Sequence, residues 1–271
     1  MPGNIADADE MLTITEEEKG WAMIIKNAIV EADPEFAKTI SDLEYVQHAI
    51  VAKDKLSKAL TRIRRLKAFK TEYGIDDDRP LEEIQAILLR FEELASGFFL
   101  GFGREANGRY VVTMDYKCFE PAKFESPEDW KVLFAGFYYM MEASQPDISS
   151  IREGTAMICE SKGIAWKNFS LEIEKRGAAL YQDAYPVRIK EISILNAPAI
   201  MRIMYVMCKP FLGKRVKEVF HMDAKLPDVQ QRIMRDNLPT TLGGVQSQLD
   251  MSEKMFESLK ARAENKANFT L

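Results

Sequence analysis

Apolar residues recur at helical spacing through the first third of the chain, from about residue 14 to residue 95. One series of this kind is Leu56, Leu60, Ile63 and Leu66. A repeat of three or four residues places the apolar side chains on one face of a helix. The pattern is interrupted at Pro34 and between Gly74 and Pro80, where turns are expected. Residues 13–95 are therefore predicted to form a small all-helical N-terminal domain.

The pattern changes after Ser96, where the segment GFFLGFGREANGRYVVTMDY is typical of two apolar strands. Asn107–Gly108 lies between them and is a favoured two-residue hairpin turn. Three of the four glycines in the segment could also suggest a dinucleotide-binding loop, namely Gly101, Gly103 and Gly108. That interpretation fails because the third glycine has the wrong spacing and a strand, rather than a helix, follows it.

Strands and helices alternate along the rest of this region. The predicted strands are Arg109–Asp115, Thr155–Glu160, Lys190–Leu195 and about Glu218–Met222. Helices are predicted to begin at Ser126 and Pro198 and to cover roughly Ser170–Ala184. The Ser126 side chain can cap its helix, and the proline that follows it suits the first helical position. Strand–helix–strand units of this length predict an α/β fold with a mostly parallel sheet and right-handed crossovers.

Two of these helices are apolar on more than one face. The helix that begins at Pro198 has Arg202 as its only charged residue before Lys209. A helix of this kind is buried or contacts a second apolar body besides its own sheet. An ordinary thick core and the wall of an apolar cavity are both open interpretations. The cations that follow this helix favour a position beside an anionic surface: they are Lys214, Arg215 and Lys217.

The net charge of the chain is −5, and residues 1–20 carry all of it. This start lacks the basic segment of a secretory signal, and residues 1–12 are predicted to be a disordered acidic arm. The apolar runs are shorter than the roughly 20 residues needed to cross a bilayer. Cys118, Cys159 and Cys208 are odd in number and widely spaced, so no disulfide or metal site is predicted. We therefore expect a cytoplasmic protein.

A basic stretch lies between Lys53 and Lys70, with eight bases and one acid. Such a stretch is either a solvated helix face or a contact for an anionic membrane surface, and both interpretations stay open. Nucleic acid is disfavoured because the isoelectric point is near 5.4 and the stretch lacks basic–aromatic interleaving.

Motifs for catalysis are missing from the sequence. The two histidines, His48 and His221, are far apart, and no nucleophile elbow, phosphate-binding loop or zinc-protease motif occurs. Glu160 and Glu191 stand at strand positions, where carboxylates usually have structural partners. We expect no catalytic residue, no metal and no cofactor.

Three segments of the second half follow one another in a fixed order: YPVRIKEISILNAP begins at Tyr185, KPFLGKRVKEVFHM at Lys209 and NLPTTLGG at Asn237. Together they resemble the CRAL-TRIO family of lipid-binding proteins. The resemblance covers about Gly97–Val245. In the spacing after Lys-Pro-Phe-Leu it is closest to the tocopherol and retinaldehyde branch of that family.

The resemblance implies a lipid cage with a sheet as its floor, helices as its walls and a movable gate helix over residues 198–211. The implied gate positions are Ile200, Ile203, Met207 and Phe211. The implied ligand-lining positions are Phe134, Phe137, Tyr138, Met141, Thr155, Cys159, Leu180, Tyr181, Ile192, Ile194, Met201 and Met204. A basic patch that recognises phosphoinositide headgroups is implied at Arg188, Lys190 and Arg215, with Lys214 and Lys217 nearby.

The resemblance thus implies a monomeric lipid-binding protein that exchanges a phospholipid, a phosphoinositide or an isoprenoid lipid at anionic membranes. Residues 96–248 would form the lipid-binding domain and residues 249–271 a C-terminal helix or tail. One alternative is a regulatory adaptor that senses a lipid and reports to a protein partner without transferring it. The other is an enzyme built on a similar sheet.

Overall fold

The computed structural model describes residues 13–105 and 107–271, so the predicted acidic arm lies outside the described residues. The first part of the chain is helical, as expected. Its helices are α1 (Glu16–Ala32), α2 (Pro34–Ala37), α3 (Asp42–Ala52), α4 (Leu56–Tyr73) and α5 (Leu81–Leu94). Gly74 ends α4 in the left-handed conformation, with φ of 63°, which glycine adopts without steric cost.

Five strands form one sheet in sequential order. They are β1 (Phe99–Arg104), β2 (Tyr110–Asp115), β3 (Thr155–Glu160), β4 (Ile189–Leu195) and β5 (Phe220–Ala224). β1 and β2 pair antiparallel as the predicted hairpin, and every later neighbour pairs parallel. The predicted α/β fold with a mostly parallel sheet is confirmed.

The remaining helices connect and cover these strands. They are α6 (Pro127–Ala143), α7 (Ile148–Glu153), α8 (Leu171–Ala179), α9 (Ala199–Cys208), α10 (Lys214–Glu218), α11 (Leu226–Arg232) and α12 (Gln248–Asn268). α6 begins as predicted, with the Ser126 side chain accepting a hydrogen bond from the Asp129 amide at 3.1 Å. This capping box fixes where the helix starts.

Two predicted elements differ from the structure in detail. The helix expected over roughly Ser170–Ala184 is present, but its last five residues, Leu180–Ala184, form a π-helical turn. The strand expected from Glu218 begins at Phe220, because the preceding residues form α10 and bury Val216.

The two faces of the sheet bury different clusters, because alternate residues of a strand point to opposite sides. On β3, Met157 and Cys159 join the large core cluster beneath α6, α8 and α9. Ala156 and Ile158 join a smaller cluster on the other face, which α11 and the segment after it cover. The N-terminal helices have a separate cluster that includes Ile148 and Ile151 of α7.

A buried polar network around Glu142 ties α3, α6 and α12 together. The Tyr185 hydroxyl of the Tyr-Pro motif donates to Glu142 Oε1 at 2.8 Å, and Arg262 Nε lies 3.3 Å from Glu142 Oε2. Arg262 also donates to Gln47, and Lys266 Nζ lies 3.0 Å from Glu142 Oε2. Burial alone would raise the pKa of Glu142, but Lys266 and Arg262 lower that pKa to about 2. The carboxylate is therefore charged and fully partnered.

None of the helices within residues 13–105 and 107–271 combines the length and the hydropathy that a membrane span requires.

Candidate functional site

An apolar cavity lies between the sheet and the helices α6, α8 and α9. Its floor is formed by β2, β3 and β4 and includes Cys159, Ile192 and Ile194. Six of its lining residues are methionines: Met114, Met140, Met141, Met157, Met201 and Met204. The cavity encloses about 110 Å³. Methionine side chains are flexible and polarisable, so walls built from them adapt to contents of different shape.

The cavity brings together nine of the twelve side chains that the sequence placed around a ligand. They are Phe137, Met141, Cys159, Leu180, Tyr181, Ile192, Ile194, Met201 and Met204. Their role in ligand binding stays a prediction, but the fold places them around one apolar space.

At three of the expected positions the side chain lies elsewhere. Phe134 packs against Tyr73 of α4, with ring centroids 4.5 Å apart. The Tyr138 hydroxyl donates to Glu142 at 3.2 Å, and the Thr155 hydroxyl donates to Ser144 Oγ at 3.0 Å. Each of the three has an interior partner, which spacing along the sequence did not indicate.

Helix α9 closes one side of the cavity and has apolar residues on both of its faces. Met201 and Met204 are buried and line the cavity. Ile203, Val206 and Met207 point away from it and are 53%, 64% and 40% exposed. Of the other two expected gate positions, Ile200 packs at the edge of the core and Phe211 lines the cavity.

An ion pair and an aromatic stack hold α9 against β5. Arg202 Nη2 lies 2.5 Å from Asp223 Oδ1 of β5, and both side chains are exposed. Tyr205 stacks on Phe220 with ring centroids 4.5 Å apart. Exposed ion pairs contribute about 0–1 kcal/mol, so the Arg202 pair restrains α9 only weakly.

The other end of α9 is held by one side chain of the π-helical turn. Gln182 Oε1 accepts from the Gly213 amide at 2.6 Å, and Gln182 Nε2 donates to the Phe211 carbonyl at 3.4 Å. This contact links the segment after α9 to the wall formed by α8.

Cations at the start of β4 interact electrostatically with a cation of α10. Arg188 Nη1 donates to the Arg152 carbonyl at 3.2 Å, and its second nitrogen Nη2 donates to the Ile50 carbonyl. Burial lowers the pKa of Arg188, and Arg215 lowers it further. The pKa of Lys190 is also lowered by burial, by Arg188 and by Arg215. Arg188, Lys190 and Arg215 are therefore within electrostatic range of one another. Their role as a basic patch stays a prediction.

Two residues of the basic stretch in α4 join this group, although the sequence did not single them out. Burial lowers the pKa of Lys58, as do the neighbouring cations Arg62 and Arg215. Arg62 Nη2 donates to the Gln182 carbonyl at 2.8 Å, whereas its Nε and Nη1 are buried without a hydrogen-bond partner among the described residues. Lys214 of α10, by contrast, is almost fully exposed, and its Nζ lies 3.9 Å from Glu218 Oε1. The helical register of α4 decides which bases turn towards the patch.

A wider depression of about 1070 Å³ lies between the N-terminal helices and α12. Its lining includes Glu44, Lys70 and Asp77, which are linked by ion pairs, with Lys70 Nζ 2.5 Å from Asp77 Oδ1. A charged lining of this kind is unsuited to an apolar tail, because the tail would displace water from charged groups. Within the part of the chain that the structure describes, no three histidine, cysteine or acidic side chains are grouped as metal ligands.

The sequence model of the CRAL/TRIO domain matches residues 94–244, which is more than half of the chain. The chain belongs to the CRAL/TRIO domain family. The resemblance inferred from the three C-terminal segments is thereby confirmed.

The CRAL/TRIO relatives share part of their length with this chain. A tyrosine-protein phosphatase non-receptor type 9 of Mus musculus is 27% identical over 171 residues, which are 63% of this chain and 27% of that protein. An alpha-tocopherol transfer protein-like protein of Homo sapiens is 24% identical over 162 residues, 58% of this chain and 46% of that protein. The chain thus spans about a quarter of the one and under half of the other.

A solved structure has the same fold over most of both chains. The crystal structure of Sfh5 superposes with a TM-score of 0.59 at 14% sequence identity, covering 89% of this chain and 92% of that chain. At this identity the likeness concerns the fold.

Glu174 is a feature of this CRAL/TRIO domain that the sequence analysis missed. It lies on α8 beside Ile173 and four residues before Ala178, both of which also line the cavity. Burial raises the pKa of its carboxyl group to about 7. Burial also raises the pKa of Cys208, to about 12, and the Glu174 carboxylate contributes to that rise. Glu174 and Gly177, three residues apart, share a helix face that is otherwise apolar. An isolated acid on such a face was the sequence signal that could have identified this position.

We expect Glu174→Gln to stabilise the protein at pH 8 and not at pH 4.5. The unfolded carboxyl titrates near 4.5 and the folded one near 7, so the unfolded state loses its proton first as the pH rises. Stability therefore falls between these values, by at most about 3 kcal/mol, and glutamine does not titrate. Urea unfolding of both proteins at the two pH values measures the difference, and an equal difference at both would contradict the assignment.

Proposed function

We propose that this CRAL/TRIO domain binds a hydrophobic lipid in the cavity behind α9 and exchanges it at membranes, with α9 as the gate. The observation that carries the proposal is the helix itself, which lines an apolar cavity with Met201 and Met204 and exposes Ile203, Val206 and Met207 on its other side. Each CH₂ group of a lipid removed from water contributes about 0.8 kcal/mol. No catalytic step is proposed.

Loading would require the cavity to widen. Its volume of about 110 Å³ is smaller than the roughly 150 Å³ cavity that admits a benzene ring. An acyl or isoprenoid tail is several times larger than benzene, so α9 and the methionine side chains must move to admit one. The contacts that restrain α9 are those expected of a movable element: an exposed ion pair at Arg202 and the Gln182 link at its far end.

The membrane supplies the partner for the outer face of α9 in this proposal. Its exposed apolar residues would enter the headgroup region, while Arg188, Lys190 and Arg215 would attract anionic headgroups, including those of phosphoinositides. Each such cation near an anionic surface contributes about 1 kcal/mol. That total supports reversible docking and would be reduced by salt.

A vesicle transfer experiment tests this function. The full chain is mixed with donor vesicles so that it can take up lipid from them. The appearance of that lipid in acceptor vesicles is then followed with time. We expect transfer to require the protein and to be faster with anionic acceptors. A protein that binds lipid without moving it would support the sensing adaptor instead, and a protein that binds none would refute the proposal.

Replacing Arg188, Lys190 and Arg215 together by alanine is expected to weaken binding to vesicles that contain phosphoinositide by roughly 100-fold. Three cations at about 1 kcal/mol each account for that loss. Cosedimentation at low salt measures it. The matched control removes three exposed lysines from other elements, Lys19, Lys123 and Lys260. If the two triple variants are weakened to the same extent, net charge rather than this patch governs docking.

A further inference from the structure

The charges of the cavity wall restrict which lipids it accepts. Among the described residues that line it, none is a lysine, an arginine or a histidine, and Glu174 is the one acid. A phosphate or carboxylate headgroup placed inside would face an acidic group and no cation. Transferring an unpaired anion into such a space is strongly unfavourable. Anionic headgroups are therefore excluded from this wall.

The side chain of Glu174 is partly buried, and its carboxyl group has no hydrogen-bond or ion-pair partner among the described residues. Removal from water is the cause of the rise in its pKa. A polar group in an apolar wall is costly until it is hydrogen-bonded. The outward residues of the same helix are partnered differently: Arg176 pairs with Glu172 at 3.0 Å and with Glu72 at 2.5 Å. The structure therefore leaves one carboxyl available to whatever occupies the cavity.

Other polar groups surround this carboxyl. The Glu174 carboxylate contributes, after burial, to the raised pKa values of Tyr116, Cys159, Tyr181 and Cys208. These four side chains come from the turn after β2, from β3, from the π-helical turn and from α9, and all of them line the cavity. The phenol hydroxyls can donate to the oxygen atom of a hydroxyl group whose proton is directed at Glu174.

We propose that Glu174 accepts a hydrogen bond from the hydroxyl group of an uncharged lipid alcohol, and that this contact selects such alcohols over phospholipids and fatty acids. The inference rests on the proposed function, because it takes the cavity to be a lipid site. A lipid amine is a poorer fit than an alcohol, since an ammonium group would lose its hydration and gain one partner. A site that pairs a hydroxyl group discriminates against analogues that lack one.

Two binding measurements on the full chain test this selection. In the first, the delipidated protein is incubated with a total lipid extract, and the captured lipids are identified by mass spectrometry. Uncharged lipids that carry a hydroxyl group are expected to dominate. In the second, unlabelled farnesol, farnesyl acetate and farnesyl diphosphate compete with labelled farnesol in equilibrium dialysis. Farnesol is expected to compete at least 10-fold better than the other two.

Variants at Glu174 separate the hydrogen bond from the shape of the cavity. Glu174→Gln keeps an acceptor oxygen and is expected to keep the preference for farnesol. Glu174→Leu is expected to reduce the ratio of farnesol to farnesyl acetate affinity about 10-fold. The matched control, Glu172→Leu, removes a carboxylate from the outer side of α8 and is expected to leave the ratio unchanged.

The outcomes distinguish this inference from the function on which it rests. Capture of mainly phospholipids, fatty acids or amines would overturn the role of Glu174 while lipid binding stands. Capture of nothing, with no binding of any farnesyl probe, would overturn both. If the leucine variant does not fold, the wild-type protein still decides, because equal competition by farnesol and farnesyl acetate refutes the inference.

Discussion

Replacing Arg262 by leucine is expected to destabilise the fold by about 3–5 kcal/mol. The side chain is 1% exposed, and its guanidinium contacts Glu142 and Gln47 at the junction of α3, α6 and α12. Its removal leaves a buried carboxylate with one cation, Lys266, instead of two. Because domains are stable by only about 5–15 kcal/mol, this loss is a large share of the free energy of unfolding. Urea unfolding at neutral pH measures the loss.

The matched control for this variant is Arg90→Leu. Arg90 pairs with Glu93 at 3.0 Å, but its side chain is about half exposed. Exposed pairs contribute about 0–1 kcal/mol, so the control is expected to lose less than 1 kcal/mol. If the two variants lost the same amount, the Glu142 network would not be the tie between the helices that its geometry indicates.

Replacing Met204 by aspartate is expected to abolish lipid loading. Met204 is 2% exposed and lines the cavity, so the new carboxylate would lie in an apolar space with no cation among the described lining residues. A lipid tail would then have to bury that charge or leave it hydrated inside the cavity, and both are costly. Mass spectrometry of organic extracts from the purified variant measures the loss.

The control is Val206→Asp, on the outer face of the same helix and 64% exposed. It adds the same charge to α9 without changing the cavity. We expect it to load lipid normally and to bind vesicles less tightly, because it removes one of the apolar side chains proposed to contact the membrane. If Met204→Asp carried the same lipid in the same amount as wild type, the cavity would have been wrongly placed.

Local signals were sufficient to predict most of the fold. The capping residues around Ser126 set the start of α6, and the Asn107–Gly108 turn set the hairpin, because both act over a few residues. The π-helical turn at Leu180–Ala184 could not be predicted in this way. It places Gln182 against the segment after α9, and that contact joins residues about 30 positions apart.

The candidate site was less predictable than the fold. Periodicity identified the apolar wall, but it could not show that Phe134 would pack against Tyr73 or that Tyr138 would turn towards Glu142. Such choices depend on which neighbour fills the space, and the neighbours come from distant parts of the chain. The proximity of Arg62 to Arg215 could not be predicted for the same reason, since it depends on how α4 packs against the rest of the chain.

Two methionines of the cavity allow the proposed opening of α9 to be followed by chemical modification. Oxidation by peroxide converts methionine to a polar sulfoxide and requires access to the sulfur atom. Met207 is 40% exposed and is expected to react first, whereas Met201 and Met204, on the same helix, are buried. If α9 opens as proposed, sulfoxides at Met201 and Met204 would form only through that opening, and the more polar wall would then bind an apolar lipid less tightly.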